Sequence, residues 1–154
     1  QGIFTMATKQ SRFFSGNAQT PFNTPHKAGS VVTVIATVDL SAGLLAADVL
    51  ELAPVIPYGR ITSFDVTDVG SLLGATNITI GMMSGTPGDT TSVRTVGTEL
   101  INAQAAGAAI ASSLAQIAAI PRNDGTAKSL GLKVSANVVA GAGKALTIRY
   151  SYTA

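Results

Sequence analysis

The stretch LGLKVSANVVAGAGKALTIRYSYT, residues 130–153, carries the clearest structural signal in this chain. Apolar residues stand at alternate positions in two runs, first from 130 to 138 and then from 146 to 152. A period of two is that of a β-strand with one buried face. The glycine-rich residues 140–143 join the runs, so the pattern predicts an antiparallel hairpin.

Further segments upstream have the composition of β-strands, being rich in Val, Ile and Thr, which fit a half-buried pleated surface. The predicted strands are residues 31–40, 47–52, 60–67 and 77–83. Pro54 and Pro57 are expected to end the second of them. Residues 84–97 read SGTPGDTTSVRTVG and predict a long polar loop.

Residues 98–120 do not follow the period of two. They are rich in alanine and place Ile110, Leu114 and Ile117 at helical spacing, with Thr98 as a candidate N-cap. A glycine and a pair of serines inside the segment weaken the helix. An irregular segment packed on the sheet is therefore an open alternative.

Short strands joined by Gly- and Pro-rich loops, with at most one short helix, predict a mainly β protein. We expect an antiparallel β-sandwich or jelly-roll body over residues 30–154. The number of strands does not separate these two architectures. A chain of 154 residues is long enough to bury one such core.

Residues 1–29 differ in composition from this body. Four of the five phenylalanines lie here, namely Phe4, Phe13, Phe14 and Phe22, without a sustained period of 2 or 3.6. We interpret the segment as an extended N-terminal arm whose phenylalanines dock on a neighbouring protein. Each would contribute about 1.5–3 kcal/mol if fully buried. A partly disordered tail is the alternative interpretation.

The composition suggests a surface that partners cover. Charged residues make up 12% of the chain and hydrophobic residues 46%, whereas a free monomer normally exposes many Lys and Glu. Solvation by Thr, Ser, Asn and Gly is the other open explanation. A net charge of +2 is too small to indicate a nucleic-acid partner. The apolar run 103–120 is mostly alanine with Gln and Ser inside it, so no membrane span is predicted.

Charge is unevenly distributed along the chain. Five acids and one base lie between residues 39 and 68, and five bases and one acid lie between residues 122 and 149. This polarity would steer one copy onto another if each set formed its own surface. Two ordinary solvated faces would produce the same sequence pattern.

The metal and phosphate motifs tested in the sequence are incomplete. The chain has no cysteine, and its one histidine, His26, has no carboxylate within ten residues. Residues 141–144 read GAGK, but Val138 and Ala145 stand where a P-loop needs Gly and Ser or Thr. No cofactor is therefore predicted.

Hydrolytic sites are equally incomplete. Ser84 misses the G-x-S-x-G nucleophile pattern by one residue. The carboxylate pairs Asp65/Asp68 and Asp48/Glu51 are each three residues apart, which places their members on opposite faces of an ideal strand. We therefore predict a protein that is not an enzyme.

The order of short phrases along the chain is a further feature. It runs VDL at 38–40, ADVLEL at 47–52, PYGRI at 57–61, FDV at 64–66, GSL at 70–72, NITIGMMSG at 77–85 and TIRY at 147–150. This order resembles that of small head-associated proteins of tailed bacteriophages, the decoration or cement proteins that bind outside an assembled capsid. The resemblance covers residues 31–153 and is a pattern of strands and turns.

The resemblance implies a virion protein, made in the bacterial cytoplasm and placed on the capsid exterior. Such proteins are commonly trimeric and clamp subunits of the major capsid protein, so these subunits and further copies of the chain are the expected partners. The resemblance brings no residue-level signature for these contacts. Another virion component, such as a head fibre, tail or shell protein, and a module that binds carbohydrate or a host surface are the alternatives.

Overall fold

A computed structural model describes residues 8–10, 30–55, 57–69, 76–105 and 109–153. Within these ranges the chain forms nine strands and one helix. They are β1 Thr8–Gln10, β2 Val31–Asp39, β3 Val49–Val55, β4 Arg60–Val69, β5 Asn77–Met82, β6 Ile101–Ala105, β7 Ile110–Ala111, α1 Leu114–Ala119, β8 Lys128–Val134 and β9 Ala145–Thr153.

The strands form two sheets. The first sheet has the order β1-β3-β8-β5-β6, and the second has the order β2-β9-β4-β7. Every ladder is antiparallel except that β1 runs parallel to β3. The predicted mainly β fold with an antiparallel sandwich architecture is confirmed.

The core lies between the two sheets, where the period-two patterns place their apolar residues. Leu52, Ile80 and Leu132 of the first sheet are fully buried, and so are Leu146 and Ile148 of the second. Residues of both sheets belong to one continuous apolar cluster. Burial of this kind is the main favourable contribution to folding.

The predicted C-terminal hairpin is wrong. β8 lies in the first sheet between β3 and β5, whereas β9 lies in the second sheet between β2 and β4. The alternation in both strands reflects a buried inner face, which every strand of a sandwich has, and it does not specify the partner strand. The chain between them crosses from one sheet to the other, and there Val138 forms an isolated bridge with Leu44.

The predicted end of the second strand at Pro54 is also wrong. Pro54 lies inside β3 in register with Ser129 of β8. On the other side of β3, β1 pairs only with residues 49–51. Proline is tolerated here because this part of β3 lies at the edge of the described sheet.

The segment 98–120 combines both alternatives that its sequence left open. Thr98 does not cap a helix, because the chain forms β6 and β7 before α1 begins. Ser113 is the N-cap of α1 and forms a capping box with Gln116. The prediction of at most one short helix is confirmed for the described residues. No helix in that part of the chain is long and apolar enough to cross a membrane.

Candidate interaction surface

The outer face of the first sheet is covered by the chain itself around Gly81 and Gly131, whereas Lys133 of β8 on the same face is exposed. The segment 83–99 lies across the covered part, and Met83 pairs with Val96 in an isolated bridge. Gly81 and Gly131 are register partners on β5 and β8. A side chain at Gly131 would collide with Met83, and one at Gly81 would collide with the backbone of Gly97. The two glycines therefore allow the segment to lie directly on the sheet.

A buried ion pair fixes this segment. Arg94 Nη1 lies 2.8 Å from Glu51 Oε1, and the two side chains are 1% and 0% exposed. Arg94 also donates to the Ser84 carbonyl and the Ser129 hydroxyl, while the Gly88 amide donates to Glu51. Buried charges are costly unless they are paired and hydrogen-bonded; here Arg94 is hydrogen-bonded through Nε and Nη2, while Nη1 contributes the ion-pair contact alone.

The tip of the same segment is held by a side-chain turn. The Asp89 carboxylate accepts hydrogen bonds from the Thr91 amide and hydroxyl and from the Ser92 amide. Hydrogen bonding by Ser92 and Thr91 holds the pKa of Asp89 well below its usual range. The turn presents Val93, which is 73% exposed, beside the buried Arg94. This valine is thus a solvent-facing apolar side chain on a fixed segment.

The outer face of the second sheet, by contrast, is open in the described part of the chain. We call it the open face, and it consists of the outward side chains of β2, β9 and β4. These residues are Val31, Thr33, Ile35, Thr37, Asp39, Arg60, Ser63, Asp65, Thr67, Ala145, Thr147, Arg149, Ser151 and Thr153. Hydroxyl pairs join neighbouring strands, with Thr33 Oγ1 at 2.8 Å from Ser151 Oγ and Thr37 Oγ1 at 3.3 Å from Thr147 Oγ1.

One ion pair lies in the middle of the open face. Arg149 donates to Asp65 Oδ2 from Nε at 2.8 Å and from Nη2 at 2.5 Å. The pair borders a shallow groove of about 390 Å³, whose walls include Ile35, Thr67 and Ile110. The open face is therefore rich in hydroxyls, and the two charges at its centre neutralise each other, while the exposed Asp39 and Arg60 lie at its opposite ends.

The Asp65–Arg149 pair bears on whether the uneven charge along the chain steers one copy onto another or belongs to ordinary faces. Asp65 belongs to the acidic segment and Arg149 to the basic one, yet β4 and β9 are adjacent strands. The acidic Glu51 pairs with Arg94, and Asp124 pairs with Lys128 at 3.4 Å. The Asp65–Arg149 pair thus joins the two segments within one copy, which favours the interpretation of ordinary faces over steering between copies.

The candidates for chemistry occupy structural positions. Glu51 is held by Arg94, and the Ser84 hydroxyl accepts a hydrogen bond from the Thr95 amide. Lys144 donates to the Val139 carbonyl in a turn that leads into β9. Among the described residues, no group of three or more His, Cys, Asp or Glu could hold a metal ion. His26 lies outside the described residues.

The aromatic side chains do not form a sugar-stacking platform in the described part of the chain. Tyr150, Tyr152 and Phe64 are buried. Tyr58 is 63% exposed, and its ring packs on Gly125. A single exposed aromatic ring among these residues does not favour the alternative of a carbohydrate-binding module.

The four phenylalanines expected to dock on a partner, Phe4, Phe13, Phe14 and Phe22, lie outside the described residues. Their role stays a prediction. Of residues 1–29, the structure describes β1, whose Thr8 lies opposite Val49 of β3. This pairing places one short part of the predicted arm at the edge of the first sheet.

The sequence reasoning missed the Arg94–Glu51 pair. A signal was present, because Glu51 interrupts the apolar strand segment VLELAPV. A carboxylate in a strand buried on both sides requires a cationic partner. The sequence does not specify that this partner is Arg94, 43 positions away (94 minus 51).

Comparison with known proteins places this architecture among phage capsid chains. The chain is similar to a chain of the capsid of Ralstonia phage GP4, with a TM-score of 0.80 and 26% sequence identity over 96% of this chain and 97% of that one. It also shares its fold with a chain of the cyanophage Pam1 capsid asymmetric unit, with a TM-score of 0.55 and 12% identity over 90% of this chain and 95% of that one. No family model matches the chain, and no curated protein matches it significantly. The likeness to the Ralstonia phage GP4 chain supports a phage capsid-related protein, as the sequence resemblance predicted, and the likeness to the Pam1 chain shows the shared fold.

Proposed function

We propose that the chain is a non-enzymatic structural protein of a phage virion that decorates the outside of the assembled capsid. In this role it bridges subunits of the major capsid protein and acts as a trimer. The stabilised object is the shell, which must hold together against the outward pressure of packed DNA.

The likeness to the chain of the Ralstonia phage GP4 capsid carries this proposal. It extends over 96% of this chain and 97% of the other, so the two chains have nearly the same length. The copy number in the virion is the observation that separates decoration from a shell role.

The difference between the two outer faces supports a partner on the second sheet. Segment 83–99 covers part of the outer face of the first sheet and is fixed there by Arg94 and Glu51. The open face has no such cover among the described residues, and its two acids, Asp39 and Asp65, are balanced by its two bases, Arg60 and Arg149. Hydroxyl groups at regular spacing can exchange bonds with water for bonds with a protein partner at small cost. We assign the capsid contact to this face.

Because a trimer binds through several copies at once, each single contact with the capsid can be weak. Each copy of a trimer adds one contact, and contacts after the first form at high effective concentration. Phe4, Phe13, Phe14 and Phe22 of the N-terminal arm would add apolar anchors on neighbouring subunits. The stabilisation is then a sum of modest contacts.

Copy number and capsid stability test the proposal together. Quantitative mass spectrometry of purified virions should find hundreds of copies, comparable to the number of major capsid subunits. Virions that lack the protein should release their genome at a lower temperature than wild type, and adding back the purified chain should restore the release temperature.

Controls separate decoration from other virion roles. A variant with Asp65→Lys should add back less effectively, because two like charges then stand side by side on the open face, while Val93→Lys on the covered side should restore stability fully. A few or about a dozen copies per virion would instead favour a fibre or tail component. Equal genome retention with and without the protein would exclude the stabilising role.

A further inference from the structure

In the described part of the chain, β2 is a nine-residue strand at the edge of the second sheet. It pairs with β9 without a register shift over all nine residues, from Val31 opposite Thr153 to Asp39 opposite Ala145. No other described strand pairs with it. On the open face, Val31 is 60% exposed and Ile35 is 68% exposed. The inward Val32 and Val34 are only partly buried against the core.

This edge lacks the devices with which monomeric proteins protect edge strands. Such devices are charged side chains, prolines, bulges and short strands. β2 reads VVTVIATVD, so it has no proline, and its first charge is Asp39 at the last position. A strand of this kind is a template for pairing with another chain.

The sequence of β2 is self-complementary when two copies of the strand run antiparallel. Residues 31–35 read VVTVI, which is symmetric in character about Thr33. If two copies pair antiparallel with Thr33 opposite Thr33, Val31 meets Ile35 on the open face and Val32 meets Val34 on the inner face. Apolar cross-strand pairs of this kind each contribute to sheet stability. Asp39 then lies beyond the paired segment, so no like charges meet.

We propose that two copies of the chain join through β2, antiparallel, about a twofold axis at Thr33. The two second sheets then become one sheet of eight strands, β7-β4-β9-β2 followed by the same four in reverse order. The interface uses the same patch on both copies, as a twofold contact requires. The inference does not depend on the proposed trimer, since a threefold axis needs a different surface and the β2 contact would link one trimer to the next.

Cysteine cross-linking of the full-length chain tests the register. The chain has no cysteine, so each variant carries a single thiol. In Thr33→Cys the two thiols face each other across the axis and should react rapidly with a short bis-maleimide. Thr37→Cys is the matched control, because Thr37 is on the same face of the same strand and also bonds to a β9 hydroxyl.

The proposed register separates the two Thr37 positions by eight residues, or about 27 Å. Covalent dimers should therefore form at least about tenfold faster for Thr33→Cys, since facing thiols have a roughly millimolar effective concentration. Equal rates for the two variants would overturn the proposal. A rate for both that is no greater than for Val93→Cys, on the other face, would overturn it as well.

A charge exchange in the Thr33→Cys background tests the pairing of Val31 with Ile35. Val31→Lys/Ile35→Lys places like charges opposite each other and should abolish the rapid cross-link. Val31→Lys/Ile35→Glu places Lys opposite Glu and should retain it. Both side chains are largely exposed, so circular dichroism should show that both variants fold. Loss of the cross-link in both variants, or in neither, would contradict this register.

Discussion

Arg94 and Glu51 form an ion pair at 2.8 Å in which neither side chain is more than 1% exposed. The pair joins a segment without regular structure to the middle of a sheet. Segment 83–99 thereby excludes solvent from the part of the outer face of β3, β8 and β5 that surrounds Glu51. The polar segment 83–99 is thereby part of the folded body and not a mobile loop.

Removal of one member of this pair should destabilise the protein strongly. Glu51→Leu leaves the Arg94 guanidinium buried without its counter-charge, and we expect a loss of about 3–5 kcal/mol in the free energy of unfolding. The double variant Glu51→Leu/Arg94→Met should lose less than either single variant, because neither charge then remains. Urea denaturation measures all three.

The exposed pair Asp65–Arg149 is the control for this experiment. Its side chains are 30% and 58% exposed, so Asp65→Asn should cost only about 0–1 kcal/mol. Equal losses for Glu51→Leu and Asp65→Asn would show that the buried pair does not hold the segment.

Tyr150 should tolerate loss of its hydroxyl. Its side chain is 1% exposed, and its hydroxyl has no hydrogen-bond partner among the described residues. Burial raises the pKa of Tyr150 far above its usual value. An unpaired buried polar group costs about 1–3 kcal/mol, so Tyr150→Phe should leave the unfolding free energy unchanged or increase it.

The ring of Tyr150 is nevertheless expected to be essential for packing. Tyr150→Ala should cost about 3–5 kcal/mol, as deletion of a buried aromatic ring does. Thermal unfolding of both variants separates the two contributions. A clear loss of stability in Tyr150→Phe would reveal a partner for the hydroxyl.

Asp124 should contribute to a decrease in stability at acid pH. The Thr126 hydroxyl and amide donate to its carboxylate and lower its pKa from 3.8 to about 2. Because the folded pKa lies below the unfolded one, the stabilisation is fully present above pH 3.8 and is lost as the pH falls through about 2. A carboxyl NMR titration should give the low pKa directly.

The variant Asp124→Asn serves as the control for this pH effect. It cannot ionise, so its unfolding free energy should fall less steeply between pH 4 and pH 2 than that of wild type. Titration of Asp124 near 3.8 in the folded protein, or identical pH profiles for the two proteins, would contradict the prediction.

Gly81 should not tolerate a side chain. A Cβ there would overlap the backbone of Gly97 and the carboxylate of Glu99, so Gly81→Ala must push segment 83–99 off the sheet. Overpacking of this kind costs about 1–3 kcal/mol. Gly141→Ala is the matched control, since its Cβ would meet only the flexible Lys144 side chain, at 3.1 Å. Differential scanning calorimetry should find the larger decrease in Tm for Gly81→Ala.

Several elements were predictable because local composition determines them. The predicted strand 31–40 corresponds to β2, Val31–Asp39, and the predicted strand 77–83 to β5, Asn77–Met82. Alternation of apolar residues reports burial of one face, and this held for both strands of the C-terminal stretch. Fold class therefore followed from the sequence.

Strand partners were not predictable in the same way. Leu132 and Ile148 both face the core, yet their strands belong to different sheets. The pattern of each strand is identical whether its neighbour is the next strand in the chain or one that is 110 residues away, as Thr37 is from Thr147. The same holds for the covered face, because a lone arginine in a polar segment has the same local sequence whether it is solvated or buried.

The position of β9 has a consequence for synthesis on the ribosome. β9 lies between β2 and β4 and forms the longest ladders in the protein with both of them. The second sheet therefore cannot assemble until residues 145–153 have emerged, and β2 waits unpaired through translation of more than a hundred residues. An unfinished chain thus presents neither the open face nor a paired β2. An assembly that recognises the folded second sheet therefore cannot incorporate a chain that lacks β9.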